Sequence, residues 1–268
     1  MIRTLLPGWS ERSLPVIGML HLLPLPGAPR FAGDRAAIRE RLLADAEALA
    51  SGGVNGLMME NFGDAPFLPG ALPPYVVVDM TALAGAVRDR LDLPLGINCL
   101  RNDALAALAV AHAVGGAFIR VNVLCGARVT DQGVIEGPAD RLLRERVRLG
   151  AEATRIVADV DVKHSAPLGA PRPLVDEVAD LVERGGADAI VVSGSGTGRP
   201  TDDSQLDTIR QAAGTTPVLV GSGVDADGIE ALAGRCDGVI VGSSLKHGGD
   251  PRAAVDPARV RELVARLR

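Results

Sequence analysis

The chain has 268 residues, 47% of them hydrophobic and 23% charged, which suits one large α/β domain or two small ones and excludes a disulfide-stapled miniprotein. One Trp, one Tyr and four Phe leave the core to aliphatic side chains. The 28 Lys and Arg against 33 Asp and Glu give a net charge of −5 with no basic block, so nucleic acid is excluded as a partner on electrostatic grounds.

Short β-branched runs alternate with Ala/Arg/Leu segments of helical period. Taken in chain order, the predicted strands are Pro15–Leu20, Val54–Glu60, Leu93–Cys99, Ala117–Val123, Ile156–Lys163, Ala189–Ser193, Pro217–Gly221 and Gly238–Gly242. The predicted helices are Asp34–Ala50, Val77–Leu91, Ala104–Val114, Ala139–Ile156, Leu174–Arg184, Ser204–Ala213, Asp227–Ala233 and Pro257–Leu267. Eight βα units with strands apolar on both faces predict a single-domain (β/α)8 TIM barrel over 1–268, with an open doubly wound sheet as the alternative. Asp34, Asn102 or Asp103, Asp203 or Ser204, and Asp256 before Pro257 are helix-capping candidates, and the pairs Gly52–Gly53, Gly115–Gly116 and Gly185–Gly186 close helices. The first βα loop (22–33) is Pro-rich and extended, and 62–76 is an inserted loop.

Cys99, Cys125 and Cys236 are odd in number and lack a CxxC spacing, which reads as reduced cytoplasmic thiols. The N-terminal segment, broken by Pro7, Pro15, His21 and Pro24, does not resemble a signal peptide, and no integral membrane segment is expected.

In such a barrel the site lies at the carboxyl ends of the strands, and polar residues collect there. Four of five Asn (Asn61, Asn98, Asn102, Asn122), three of four His (His21, His164, His247) and both lysines end or follow strands. On the fifth predicted strand Asp159, Asp161 and Lys163 alternate, so they share a face, and burial cost favours the barrel interior. Arg120 and Asn122 repeat the pattern on the fourth. Lys163 with Asp159 or Asp161 is the candidate acid/base or Schiff-base centre, with His164 beside it; a satisfied ion-pair network filling the barrel is the alternative. Arginine fills 26 of 28 basic positions, which singles out Lys163 and Lys246 as positions where Arg does not substitute.

Glycines mark a second site. Ser193-Gly194-Ser195-Gly196-Thr197-Gly198, Gly221-Ser222-Gly223 and Gly242-Ser243-Ser244 follow the last three strands, where converging backbone N–H groups bind phosphate in many barrels; Lys246 would add a cation. His21 and Glu60 end the first two strands as candidate catalytic partners. Together with an Asp of strand five they form a candidate set for a divalent metal without a specific signature.

The segments Val16-Ile17-Gly18-Met19-Leu20-His21 with Leu25-Pro26-Gly27, Met59-Glu60-Asn61-Phe62-Gly63-Asp64, Gly96-Ile97-Asn98 with Leu100-Arg101-Asn102-Asp103, Phe118-Ile119-Arg120-Val121-Asn122-Val123, Ala158-Asp159-Val160 with Val162-Lys163-His164, Thr197-Gly198, and Val220–Gly223 with Ile240–Lys246 resemble the BtpA/SgcQ family over nearly the whole chain. The resemblance implies a ribulose-phosphate-binding-barrel fold. It also implies two functional records: photosystem I accumulation in a cyanobacterial member, and association with sugar uptake and metabolism in others. One Trp, one Tyr and no membrane-seeking helix speak against the photosystem role, the strand-end polar set favours small-molecule chemistry of isomerase or lyase type, and the SgcQ resemblance implies a phosphorylated sugar or nucleoside-like metabolite as substrate. In that reading Asn61, Asn98, Arg101, Arg120 and Asn122 orient the substrate, and Gly196, Thr197, Gly221, Ser222, Gly223, Gly242, Ser243, Ser244 and Lys246 hold phosphate. A non-catalytic assembly factor is the alternative, and self-association is left open.

Overall fold

The structure, a computed structural model, describes residues 5–6, 8–9, 14–162, 164–193, 203–221 and 223–267. Eight parallel strands close into a barrel in the order β1 (Val16–His21), β2 (Gly56–Glu60), β3 (Leu95–Asn98), β4 (Phe118–Val121), β7 (Arg155–Val160), β9 (Ala189–Val192), β10 (Val218–Val220) and β11 (Gly238–Val241). The helices α1 (Arg35–Gly52), α2 (Pro74–Arg88), α3 (Ala104–Val114), α4 (Ala139–Arg148), α5 (Leu174–Ala179) and α6 (Asp203–Ala212) lie between them, and α7 (Pro257–Ala265) follows the last strand. The single-domain TIM barrel expected from the sequence is the observed architecture.

Alternation along the strands splits the core in two. Outward residues such as Leu20, Leu57, Ile97 and Val239 pack under the helices, while Ile17, Met19, Met58, Phe118, Val157 and Leu219 fill the barrel. Phe118 reaches the interior because Gly96 has no side chain: a Cβ there would lie 2.0 Å from its ring. Leu5, Leu6 and Trp9 join the interior cluster, and a Cβ on Gly56 of β2 would lie 3.0 Å from the indole, which places Trp9 at the amino end of the strands.

Helix ends follow local chemistry. Asp34, Asp103 and Asp256 accept from the backbone N–H of Ala37, Ala106 and Ala258, and Gly53 and Gly115 end α1 and α3 at φ 96° and 65°. Of the capping alternatives Asn102 or Asp103, Asp103 is the cap; Asn102 instead brackets the Val123 backbone.

Four expectations are corrected. Helix α4 stops at Arg148, because Gly150 turns at φ 64° before β7. Helix α2 starts at Pro74, so the inserted loop is shorter than 62–76; Pro suits a first helical position. The helix predicted over Asp227–Ala233 is one 3-10 turn, Ile229–Leu232, too short to repay α-helix nucleation. A hairpin not anticipated from the sequence, β5 (Ala127–Thr130) with β6 (Gly133–Glu136), pairs with β8 (Ser165–Pro167) in a separate antiparallel sheet.

Candidate active site

Four polar residues form one register row across adjacent strands: His21 pairs with Glu60, Glu60 with Asn98, and Asn98 with Arg120. Paired residues of parallel strands face the same way, so this row stands at the carboxyl end of the barrel directly above the apolar interior. Asn98 Nδ2 donates to Glu60 Oε2 at 2.6 Å. Arg120 extends the row to β7, where Nε and Nη2 donate to the two oxygens of Asp159 at 2.9 and 3.0 Å, and Asn122 Nδ2 adds a third bond at 2.8 Å. Burial opposes the charge on Arg120, but the carboxylate of Asp159, with Glu60 beyond it, outweighs burial and raises the guanidinium pKa.

Above the row opens a cavity of about 540 Å³, lined by His21, Glu60, Phe62, Arg101, Arg120, Asn122 and His164 on one side and by Gly221, Gly223, Gly242, Ser243 and Ser244 on the other. His21 Nδ1 donates to the Pro251 carbonyl at 2.9 Å and its ring stacks on Phe62 at 4.4 Å. A carbonyl only accepts, so the neutral ring carries its proton on Nδ1, and Nε2 is the acceptor nitrogen, 3.5 Å from where a Gly242 Cβ would lie. Gly221 is glycine for space, since a Cβ would lie 2.4 Å from Val191. Ser244 Oγ donates to the Val224 carbonyl at 2.6 Å and ties the two glycine loops together.

Other candidates sit elsewhere. Strand β7 ends at Val160, and Asp161, at φ 47°, leaves the alternation; it pairs with Arg128 of the hairpin beside a second cavity of about 270 Å³, which Asn122 and Asp159 also line. The common inward face expected for Asp159 and Asp161 is therefore absent. Lys246 is also not where the sequence suggested. After the turn Ser243–Leu245 its side chain is fully buried against α1, with Nζ 3.9 Å from Asp45 and donating to the Ala253 carbonyl, away from the cavity. Asn61 clamps the Leu100 backbone at both N–H and carbonyl and is not among the residues that line the cavity. Lys163, Gly196, Thr197 and Ser222 lie outside the described residues.

Among the described residues no three His, Cys, Asp or Glu side chains form a metal-ligand group, so the trio of His21, Glu60 and a strand-five Asp is not assembled. Asp159 is occupied by Arg120 and Asn122 instead. Cys99, Cys125 and Cys236 are free thiols, and burial raises the pKa of each. Phe62, Phe67, Asp225, Arg252 and Arg259 also line the cavity, and sequence reasoning did not single them out. Phe62 lay within a quoted strand-end motif; the two arginines were hidden among 26.

Fold and site define a (β/α)8 barrel with a polar, arginine-lined cavity at the carboxyl mouth. The BtpA family model matches residues 12–268, and the chain belongs to the BtpA family. It is 49% identical over 250 residues to the photosystem I biogenesis protein BtpA of Synechocystis, covering 93% of this chain and 86% of that one. Among solved structures it is similar to tryptophan synthase of Mycobacterium tuberculosis (TM-score 0.65, 19% identity, 100% and 99% of the two chains). It is also similar to N-(5'-phosphoribosyl)anthranilate isomerase of Pyrococcus furiosus (TM-score 0.58, 13% identity, 95% and 98%). Among the described residues no helix is long and apolar enough to cross a membrane.

Proposed function

We propose that the protein is an isomerase or lyase that performs acid/base chemistry on a phosphorylated sugar or nucleoside-like molecule in the mouth cavity. The observation that carries this is the register row His21, Glu60, Asn98, Arg120 facing a cavity of about 540 Å³. A row of ionisable and amide side chains at this depth is expensive to keep unless it is used. In the proposed reaction Glu60, held by Asn98, removes a proton next to a substrate carbonyl, and the charge that develops on the carbonyl oxygen is met by Arg101 or Arg120. His21 Nε2 relays the proton between substrate positions. Asp159 acts through Arg120 and Asn122 as a positioning residue, and Gly221, Gly223, Gly242, Ser243 and Ser244 receive the phosphate. Lys163 keeps its proposed Schiff-base role in the lyase version, and borohydride trapping with mass mapping tests it.

The experiment for the main reading is proton NMR of phosphorylated aldoses and ketoses incubated with the protein in D2O. Deuterium uptake next to a carbonyl with wild type, lost at least about 100-fold in Glu60→Gln, supports it. Uptake unchanged by Glu60→Gln sinks the assigned base, and no exchange or product across the panel sinks the reaction class. A second reading, an assembly factor, is favoured by the name of the Synechocystis relative. It requires that Glu60→Gln leave cellular function intact.

A further inference from the structure

Lys246 was the one cation expected at the glycine loops, and its ammonium is turned away onto Asp45. Two arginines stand at that end of the cavity instead. Arg259, in the first turn of α7, is 45% exposed along its side chain. Its Nη1 donates to the carbonyl of Ser244 at 3.3 Å, and its Nε lies 3.8 Å from Asp256. The hydrogen bond fixes the guanidinium beside Ser244, and its further N–H donors, those of Nη2 among them, remain for a ligand.

Arg252 belongs to the segment between the last barrel strand and α7, and its backbone is pinned. Its N–H donates to Asp250 at 2.9 Å, and its carbonyl accepts from Arg41 of α1 at 3.4 Å. The adjoining carbonyl of Pro251 is the partner of His21. Asp225 is the acidic lining residue on this side among those described, and its Oδ1 already accepts from the Gly228 N–H.

We propose that Arg252 and Arg259 are the charge-bearing residues of the anion site and hold the phosphate of a phosphate monoester against Gly221, Gly223 and the Gly242–Ser244 loop. This rests on the proposed function and assigns its phosphate handle to residues other than Lys246. A planar guanidinium offers paired donors that match phosphate oxygens, so the affinity resides in contact as well as in net charge. The hydrogen bond from His21 to Pro251 joins this handle to the candidate acid/base row, and a substrate seated on the arginines is held in register with Glu60.

Isothermal titration of the full chain with inorganic phosphate, glycerol 3-phosphate and glycerol tests the assignment. The variants are Arg252→Gln, Arg259→Gln and, as a charge-matched control on the same helix, Arg261→Gln. Wild type is expected to bind both phosphates and not glycerol, with the ester tighter than the free ion. Arg259→Gln and Arg252→Gln each weaken binding by about tenfold or more, as loss of a charge-assisted contact does. Arg261→Gln stays within about twofold, because its side chain is exposed and does not line the cavity. Phosphate bound equally by wild type, Arg252→Gln and Arg259→Gln overturns the arginine assignment and leaves the phosphate reading of the loops standing. Equal losses in all three variants also overturn it, since the effect is then net charge. If wild type binds neither phosphate, the assignment and the reading beneath it fall together.

Discussion

Asp159 receives three hydrogen bonds, two from Arg120 and one from Asn122, with its carboxylate sealed from solvent. Replacing it by Asn leaves a buried guanidinium without its counter-ion, which costs on the order of 3–5 kcal/mol. Urea unfolding of Asp159→Asn is expected to show a loss of that size; a loss below about 1 kcal/mol would contradict the geometry. Lys246 gives the opposite kind of residue-scale test. Burial lowers its pKa from 10.5 to about 8 against the pull of Asp45. Between those values the unfolded chain holds a proton that the folded chain has released, so stability rises with pH. Relative to Lys246→Met, wild type is expected to gain on the order of 3 kcal/mol from pH 8 to 10.5, measured by urea unfolding at each end. A difference that stays flat over that window would show the ammonium to be solvated.

At the scale of elements, the cavity wall depends on two loops that interlock. Gly63 donates to the Leu22 carbonyl at 3.0 Å, Asp64 accepts from the Leu25 N–H at 2.8 Å, and a Cβ on Gly63 would lie 2.4 Å from the Pro24 nitrogen. That obstacle is backbone and has no rotamer to change, so Gly63→Ala is expected to destabilise by about 2 kcal/mol or more, read as a fall in the thermal midpoint. An unchanged midpoint would mean the loops separate freely. The eight strands were legible because buried parallel strands are short continuous apolar runs such as Val16–Leu20 and Ala189–Val192. The hairpin was not, since its strands are four residues long and half exposed; its signal is Val129-Thr130-Asp131-Gln132-Gly133-Val134-Ile135, two β-branched pairs around turn residues. The polar row was readable from strand-end positions, because alternation carries His21, Glu60, Asn98 and Arg120 inward together. The same logic failed for Asp161: Val160 and Val162 continue the apolar pattern while the backbone turns at φ 47°. Arg252 and Arg259 were illegible, because nothing in the spacing shows that α7 and its preceding segment fold back onto Ser243 and Ser244, 8 to 16 residues earlier.

Across the whole molecule, the Trp9 cluster and the candidate site occupy opposite ends of the barrel. Trp9, Leu5 and Leu6 belong to the interior cluster near the amino ends of the strands, while the cavity and every described candidate that lines it are at the carboxyl ends. Trp9 is the sole tryptophan, and it is buried, so its emission reports on closure of that end. Trp9→Ala is expected to cost about 3–5 kcal/mol in urea unfolding while leaving phosphate affinity unchanged; a parallel loss of affinity would contradict the separation of the two ends. The central claim is that a small phosphorylated molecule is bound and turned over at the mouth, and a crystal structure with glycerol 3-phosphate tests it most directly. Phosphate density is expected between Gly221, Gly223 and the Gly242–Ser244 loop, contacted by Arg252 and Arg259, with the carbon chain directed at Glu60 and His21. Density for the ligand only at the hairpin cavity beside Arg128 and Asp161, or a mouth left empty at saturating ligand, would contradict it.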